Sequence, residues 1–111
     1  MREDRIYLLH IRDAITQILE YVHEGRQSFM LDSKTQDAVI RKLEIVGEAT
    51  KNISPELKTQ HPQIPWRSMA GMRDKLIHEY FGVDTTLVWE TVEYQLPDIA
   101  KRIEKMIVQL K

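Results

Sequence analysis

Apolar residues recur along this chain at helical spacing. Leu8, Ile11, Ile15, Ile18 and Val22 follow one another at intervals of three and four, which draws one stripe down one helix face. Tyr7, Ala14 and Tyr21 widen that stripe, so the pattern predicts a first helix from about Glu3 to Glu24, with Gly25 as its stop. Arg26 to Leu31 has no decisive period. Asp32 or Ser33 is placed to cap a second helix that runs to about Asn52. Its stripe is Val39, Leu43, Val46, Thr50 and Ile53, flanked by Ile40 and Ala49. Gly47 lies inside this helix at a cost of ~1 kcal/mol relative to Ala, which a close helix crossing would explain. Ser54-Pro55-Glu56 reads as a cap followed by a Pro in the first helical position of a short turn.

His61-Pro62-Gln63-Ile64-Pro65 breaks the chain, and Pro65 can open a third helix from Trp66 to about His78. Tyr80-Phe81-Gly82-Val83 is a turn. Asp84 caps a fourth helix carrying Leu87, Val88, Val92, Leu96, Ile99, Ile103 and Ile107. Pro97 falls within that pattern and should kink the helix or split it. No segment alternates as a strand does. The expectation is an all-α, antiparallel bundle of four to five helices, with residues 1–111 forming a single domain.

Composition narrows the function classes. The chain has no cysteine, which excludes disulfides, thiolate zinc sites and cysteine nucleophiles and fits a cytoplasmic protein. No apolar run reaches the ~18 residues of a membrane span. The start, Met1-Arg2-Glu3-Asp4, is charged and leads into an amphipathic pattern, not a signal-peptide core. The formal net charge is −1, whereas a protein that tracks a nucleic-acid backbone is usually basic. Any RNA contact would therefore need a local basic cleft, built in part by a second chain.

Candidate chemistry concentrates between Trp66 and Asp84. Asp74 and His78 are four apart and share a helix face, where a carboxylate can fix the imidazole tautomer and raise its pKa. Arg73 lies roughly 140° around the helix from His78, at about 100° per residue. The two can still reach one cleft if the helix ends near His78. Arg holds phosphate through a permanently charged fork. His can take a proton from an attacking hydroxyl and return one to a leaving group near neutral pH. RNA brings its own 2′-OH nucleophile, so neither a metal nor a cofactor is required. On spacing alone, such residues at a helix end are more commonly just an ion-paired, solvated face.

The segment Arg73-Asp74-Lys75-Leu76-Ile77-His78 resembles the Arg-polar-x-x-x-His signature of HEPN domains. The continuation His78-Glu79-Tyr80 resembles the HepT-like toxins within that superfamily, as do Leu43-Glu44-Ile45-Val46-Gly47-Glu48-Ala49, Ile64-Pro65-Trp66-Arg67 and Tyr80-Phe81-Gly82-Val83-Asp84. The likeness spans essentially the whole chain. It implies a metal-independent endoribonuclease that works as a homodimer on an RNA substrate, with the two motif copies facing one cleft. Arg73 would stabilise the phosphate, His78 would serve as general base or acid, and Asp74 would orient the pair. It also implies a partner, a minimal nucleotidyltransferase antitoxin, that silences the toxin by transferring AMP to Tyr80. The alternative is a non-catalytic helical module that binds a nucleotide or serves such a nucleotidyltransferase.

Other residues offer less. His10, His23 and His61 are scattered, with no metal-ligand spacing. Glu44 and Glu48, four apart, lack further ligands and read as partners for Arg41, Lys51 or Arg73. Trp66 and Trp89 read as core or dimer anchors, although Trp66 at a cleft mouth could stack a base.

Overall fold

The computed structural model describes residues 2–78 and 83–110, and for Arg2 and residues 73–78 the description is of the backbone alone. Among the described residues every regular element is helical: α1 (Arg2–Tyr21), α2 (Arg26–Leu31), α3 (Ser33–Lys51), α4 (Pro55–Gln60), α5 (Trp66–His78), α6 (Thr85–Glu90), a π-helical segment (Thr91–Gln95) and α7 (Leu96–Gln109). α3 lies at the centre of the bundle, packed on α1 and on α5, while α7 packs on α1 and α2 on α6. None of these helices is long and apolar enough to cross a membrane.

The predicted stripes form the core. Leu8, Ile11, Ile15 and Ile18 of α1 meet Val39, Leu43 and Val46 of α3, all of them buried. Thr50 is fully buried because its hydroxyl donates to the Val46 carbonyl at 2.7 Å, which satisfies the one polar group it brings inside. Gly47 is buried on α3 as well.

The structure refines three of the sequence readings and bears out a fourth. α1 ends at Tyr21, short of Glu24, and residues 22–24 form a turn; Tyr21 is exposed and adds nothing to the stripe. The undecided stretch Arg26–Leu31 is a helix, docked by Phe29, whose ring lies 5.4 Å from that of Trp89 on α6. Leu87 belongs to no core stripe and is 39% exposed. The predicted fourth helix is divided close to Pro97, as expected, into α6, the π segment and α7. The π segment ahead of it opens the ladder, with Leu96 N donating to Thr91 O five residues back, and Pro97 then enters in the first turn of α7. There its missing N–H costs little.

Capping follows the sequence. Asp32, not Ser33, caps α3: its carboxylate accepts from Lys34 N at 3.1 Å, Thr35 N at 3.4 Å and the Thr35 hydroxyl at 2.7 Å. The Thr35 hydroxyl first, then the backbone donors and Lys34, hold its carboxyl below the usual carboxylate value. Gln36 closes the α2–α3 corner by donating from its side-chain amide to the carbonyls of Phe29 and Met30, 2.9 and 3.2 Å away. Ser54 caps α4 by accepting from Leu57 N at 3.2 Å, and Asp4 of α1 reaches across the fold to hold Ser54. The Asp4 carboxylate is 3% exposed and accepts from Ser54 N at 2.8 Å and from the Ser54 hydroxyl at 2.7 Å.

Candidate active site on helix α5

α5 is anchored at its N-terminal end. Met69 N donates to the Pro65 carbonyl at 2.9 Å, so Pro65 precedes the helix in the way its ring allows. Trp66 is buried and its indole N–H donates to the His61 carbonyl at 2.9 Å. Trp66 is thus a core anchor and presents no free face for a base. Ile64 and Met69 complete the buried side of this end.

The opposite end of α5 carries the sequence motif. Arg73, Asp74 and His78 all lie on this one helix, and His78 is its last residue. Asp74 and His78 stand one turn apart on the same face, and Arg73 lies about 7.5 Å back along the axis from His78. Tyr80 lies outside the described residues.

A groove borders this end. Leu43 of α3, Met72 of α5 and Val88 of α6 give it an apolar floor, and its volume is about 220 Å³. Val83 and Asp84, which follow the motif directly in the chain, close one end. Asp84 caps α6 by accepting from Thr86 N at 3.0 Å and Leu87 N at 3.2 Å, which fixes the start of that helix. Gly71 also lines the groove; it is exposed, and a Cβ there would meet no atom within 4 Å. The sequence offered a sign of this feature that went unread: a glycine inside a 13-residue helix, at ~1 kcal/mol relative to Ala, with no crossing helix to require it.

Lys101 and Lys105 of α7 line a second cleft together with His61, with a volume of about 300 Å³. Arg102 beside them is neutralised by Asp98 at 2.9 Å, whereas the two lysines have no ion pair among the described residues. Glu44 pairs with Arg41 at 3.5 Å, as its spacing suggested. Among the described residues no group of three or more His, Cys, Asp or Glu side chains could hold a metal ion.

Comparison with known proteins decides the family. The family described as ribonuclease HepT-like matches residues 11–106, most of the chain and all of α5. The chain belongs to the HepT-like ribonuclease family. A Thermococcus cleftensis protein named "Probable ribonuclease HepT" is 51% identical over 95% of this chain and 96% of its own length. A protein of Caldanaerobacter subterraneus subsp. tengcongensis with a provisional RNase name is 39% identical across the full length of both chains. A Methanocaldococcus jannaschii protein whose name joins a gamma-glutamylcyclotransferase to a provisional RNase is 45% identical over 99% of this chain, which spans 50% of that larger protein. No solved structure matches the chain significantly. The HepT-like resemblance read from residues 43–49, 64–67 and 73–84 therefore holds along the whole domain.

Proposed function

We propose that the protein is a metal-independent endoribonuclease and the toxin of a toxin–antitoxin pair, with Arg73 and His78 acting on the scissile phosphate. The observation that carries this reading is an Arg–Asp–x–x–x–His motif at the end of α5 in a chain of the HepT-like ribonuclease family. The 2′-oxygen attacks phosphorus and the P–O5′ bond breaks. The products are a 2′,3′-cyclic phosphate and a 5′-hydroxyl. His78 takes the 2′-OH proton, and His78 of a second copy gives one to the departing 5′-oxygen. Arg73 balances the charge that gathers on the phosphate oxygens, and Asp74 orients the pair. Lys101 and Lys105 supply positive charge for the RNA backbone beyond the cut, where net charge alone would repel it.

Incubation of purified protein with RNA in excess EDTA tests the chemistry. Cleavage should survive the chelator and leave cyclic phosphate and 5′-hydroxyl ends. Products with 5′-phosphate ends, or activity abolished by EDTA and restored by a divalent ion, would replace this mechanism with a metal-assisted one.

Silencing is assigned to Tyr80, through AMP transfer from a minimal nucleotidyltransferase antitoxin. AMP there would place negative charge and bulk where the RNA phosphate must sit. Tyr80→Phe should cleave like the wild type but stay active, and unchanged in intact mass, when the nucleotidyltransferase and ATP are supplied. Loss of cleavage in Tyr80→Phe alone would move Tyr80 into the catalytic machinery.

A further inference from the structure

Among the described residues nothing packs where a Cβ at position 71 would lie, yet α5 carries a glycine there, on its exposed side at the edge of the groove. Glycine is the poorest helix former after proline. The residue keeps a space open instead of allowing a close approach. We propose that this space is a nucleobase subsite: one base of the RNA strand beside the scissile phosphate seats in the groove between α5 and the α6–π junction. The proposal rests on the ribonuclease reading above.

Position, size and chemistry each support one base as the occupant. Met72 lies at the groove and immediately precedes Arg73, so a base seated there belongs to a nucleotide at or next to the reacting phosphate. At about 220 Å³ the groove is smaller than the roughly 300–1,000 Å³ of sites that take drug-sized ligands, and so suits a single heterocycle. Its floor offers an unbranched thioether at Met72 and branched aliphatic groups at Leu43 and Val88, which pack on the flat face of a base.

Its rim supplies groups that read a base edge. Ser68 and Gln95 line the groove with no hydrogen-bond partner among the described residues. Thr91 donates to Leu87 O at 3.0 Å, which leaves its oxygen free to accept. Thr91 and Gln95 are the two ends of the π segment. Such segments are rare and often occur at functional sites, because the widened turn re-aims the side chains it carries. Unpaired polar groups around an apolar floor are what reading of a splayed-out RNA base requires.

Binding of a short single-stranded RNA, followed by fluorescence anisotropy, tests this directly. A His78→Ala chain is compared with and without Gly71→Leu, so that no cleavage confuses the reading. Leu at 71 extends into open space, and circular dichroism should report an unchanged fold. Its side chain fills the groove, and the RNA should bind about tenfold more weakly, which is the scale of one lost base contact. Gly71→Ala, which improves helix propensity but sets one methyl group at the groove edge, should lose affinity in the same direction and by less. An RNA lacking the base next to the cut should show the same tenfold loss on the parent and no further loss on the Gly71→Leu chain.

Equal affinity of the parent and Gly71→Leu chains for the intact RNA overturns the subsite. So does a shift of oligomeric state in sedimentation with Gly71→Leu, since the groove would then hold a second copy of the chain. Failure of the parent to bind RNA at all removes the ribonuclease reading together with the subsite. Binding that is indifferent to Gly71→Leu removes the subsite alone.

Discussion

His78→Ala should reduce RNA cleavage by a factor of about 10²–10⁴, the range that a positioned general acid or base contributes. The variant should fold as the wild type does. Ala is the better helix former, so the backbone of α5 loses nothing by the exchange. Cleavage rates on a defined RNA, with circular dichroism as the fold control, check both halves of the statement. Arg73→Lys is the informative companion. It retains the charge but loses the planar fork, so a large loss there would show that two-point contact with the phosphate matters beyond charge. A folded His78→Ala chain that cut RNA at the wild-type rate would sink the assignment of the motif. The non-catalytic alternative would then stand, with α5 serving a nucleotidyltransferase as a docking helix.

Asp4→Ala should be the more damaging change to the fold, although it lies far from the motif in sequence. Its buried carboxylate receives two donors from Ser54, the backbone N–H at 2.8 Å and the hydroxyl at 2.7 Å. Hydrogen bonds to a charged partner are worth about 1.5–3 kcal/mol each, and the donors left behind would be only partly hydrated. A loss of about 2–4 kcal/mol is expected, a large share of the ~5–15 kcal/mol by which such domains are stable. Asp4→Asn should lose less, because its amide oxygen still accepts from one of the two donors. Urea unfolding measures the difference. RNA cleavage measured well below the unfolding temperature should be unaffected. A loss within ~0.5 kcal/mol, the size of an ordinary surface change, would mean that the clamp is not a structural tie.

The sequence disclosed the parts of this structure that follow a long period. The α1 and α3 stripes were legible because each places several apolar residues on one face over many turns. α2 was not, since a six-residue helix with Phe29 as its one buried residue has no period to read. The π segment left a trace that was passed over. Val88, Val92 and Leu96 are all buried at two successive intervals of four, and an α-helix keeps its stripe straight by mixing threes and fours. The Asp4–Ser54 tie joins residues fifty apart and depends on burial, which no local pattern encodes. At the site, the helix that carries the motif was legible, because Pro65 and Trp66 mark its start. The groove beside it was not, because it is assembled from α3, α5, α6 and the π segment, which meet only in three dimensions.

The π segment also bears on how this chain tolerates insertion and deletion. A π turn is in effect an α-helix carrying a surplus residue, here between Thr91 and Gln95. Removing one residue from that stretch would let the ladder close as α. Val88 and Leu96, then seven residues apart, would still face the core together, because seven residues make close to two α-helical turns. The deleted residue could be as exposed and unremarkable as Glu93. One residue removed from the middle of α3 would instead rotate everything beyond it by about 100° and turn half of its buried stripe outward. The stretch between Thr91 and Gln95 is thus a place where a helix of this bundle can lose a residue and keep its buried face.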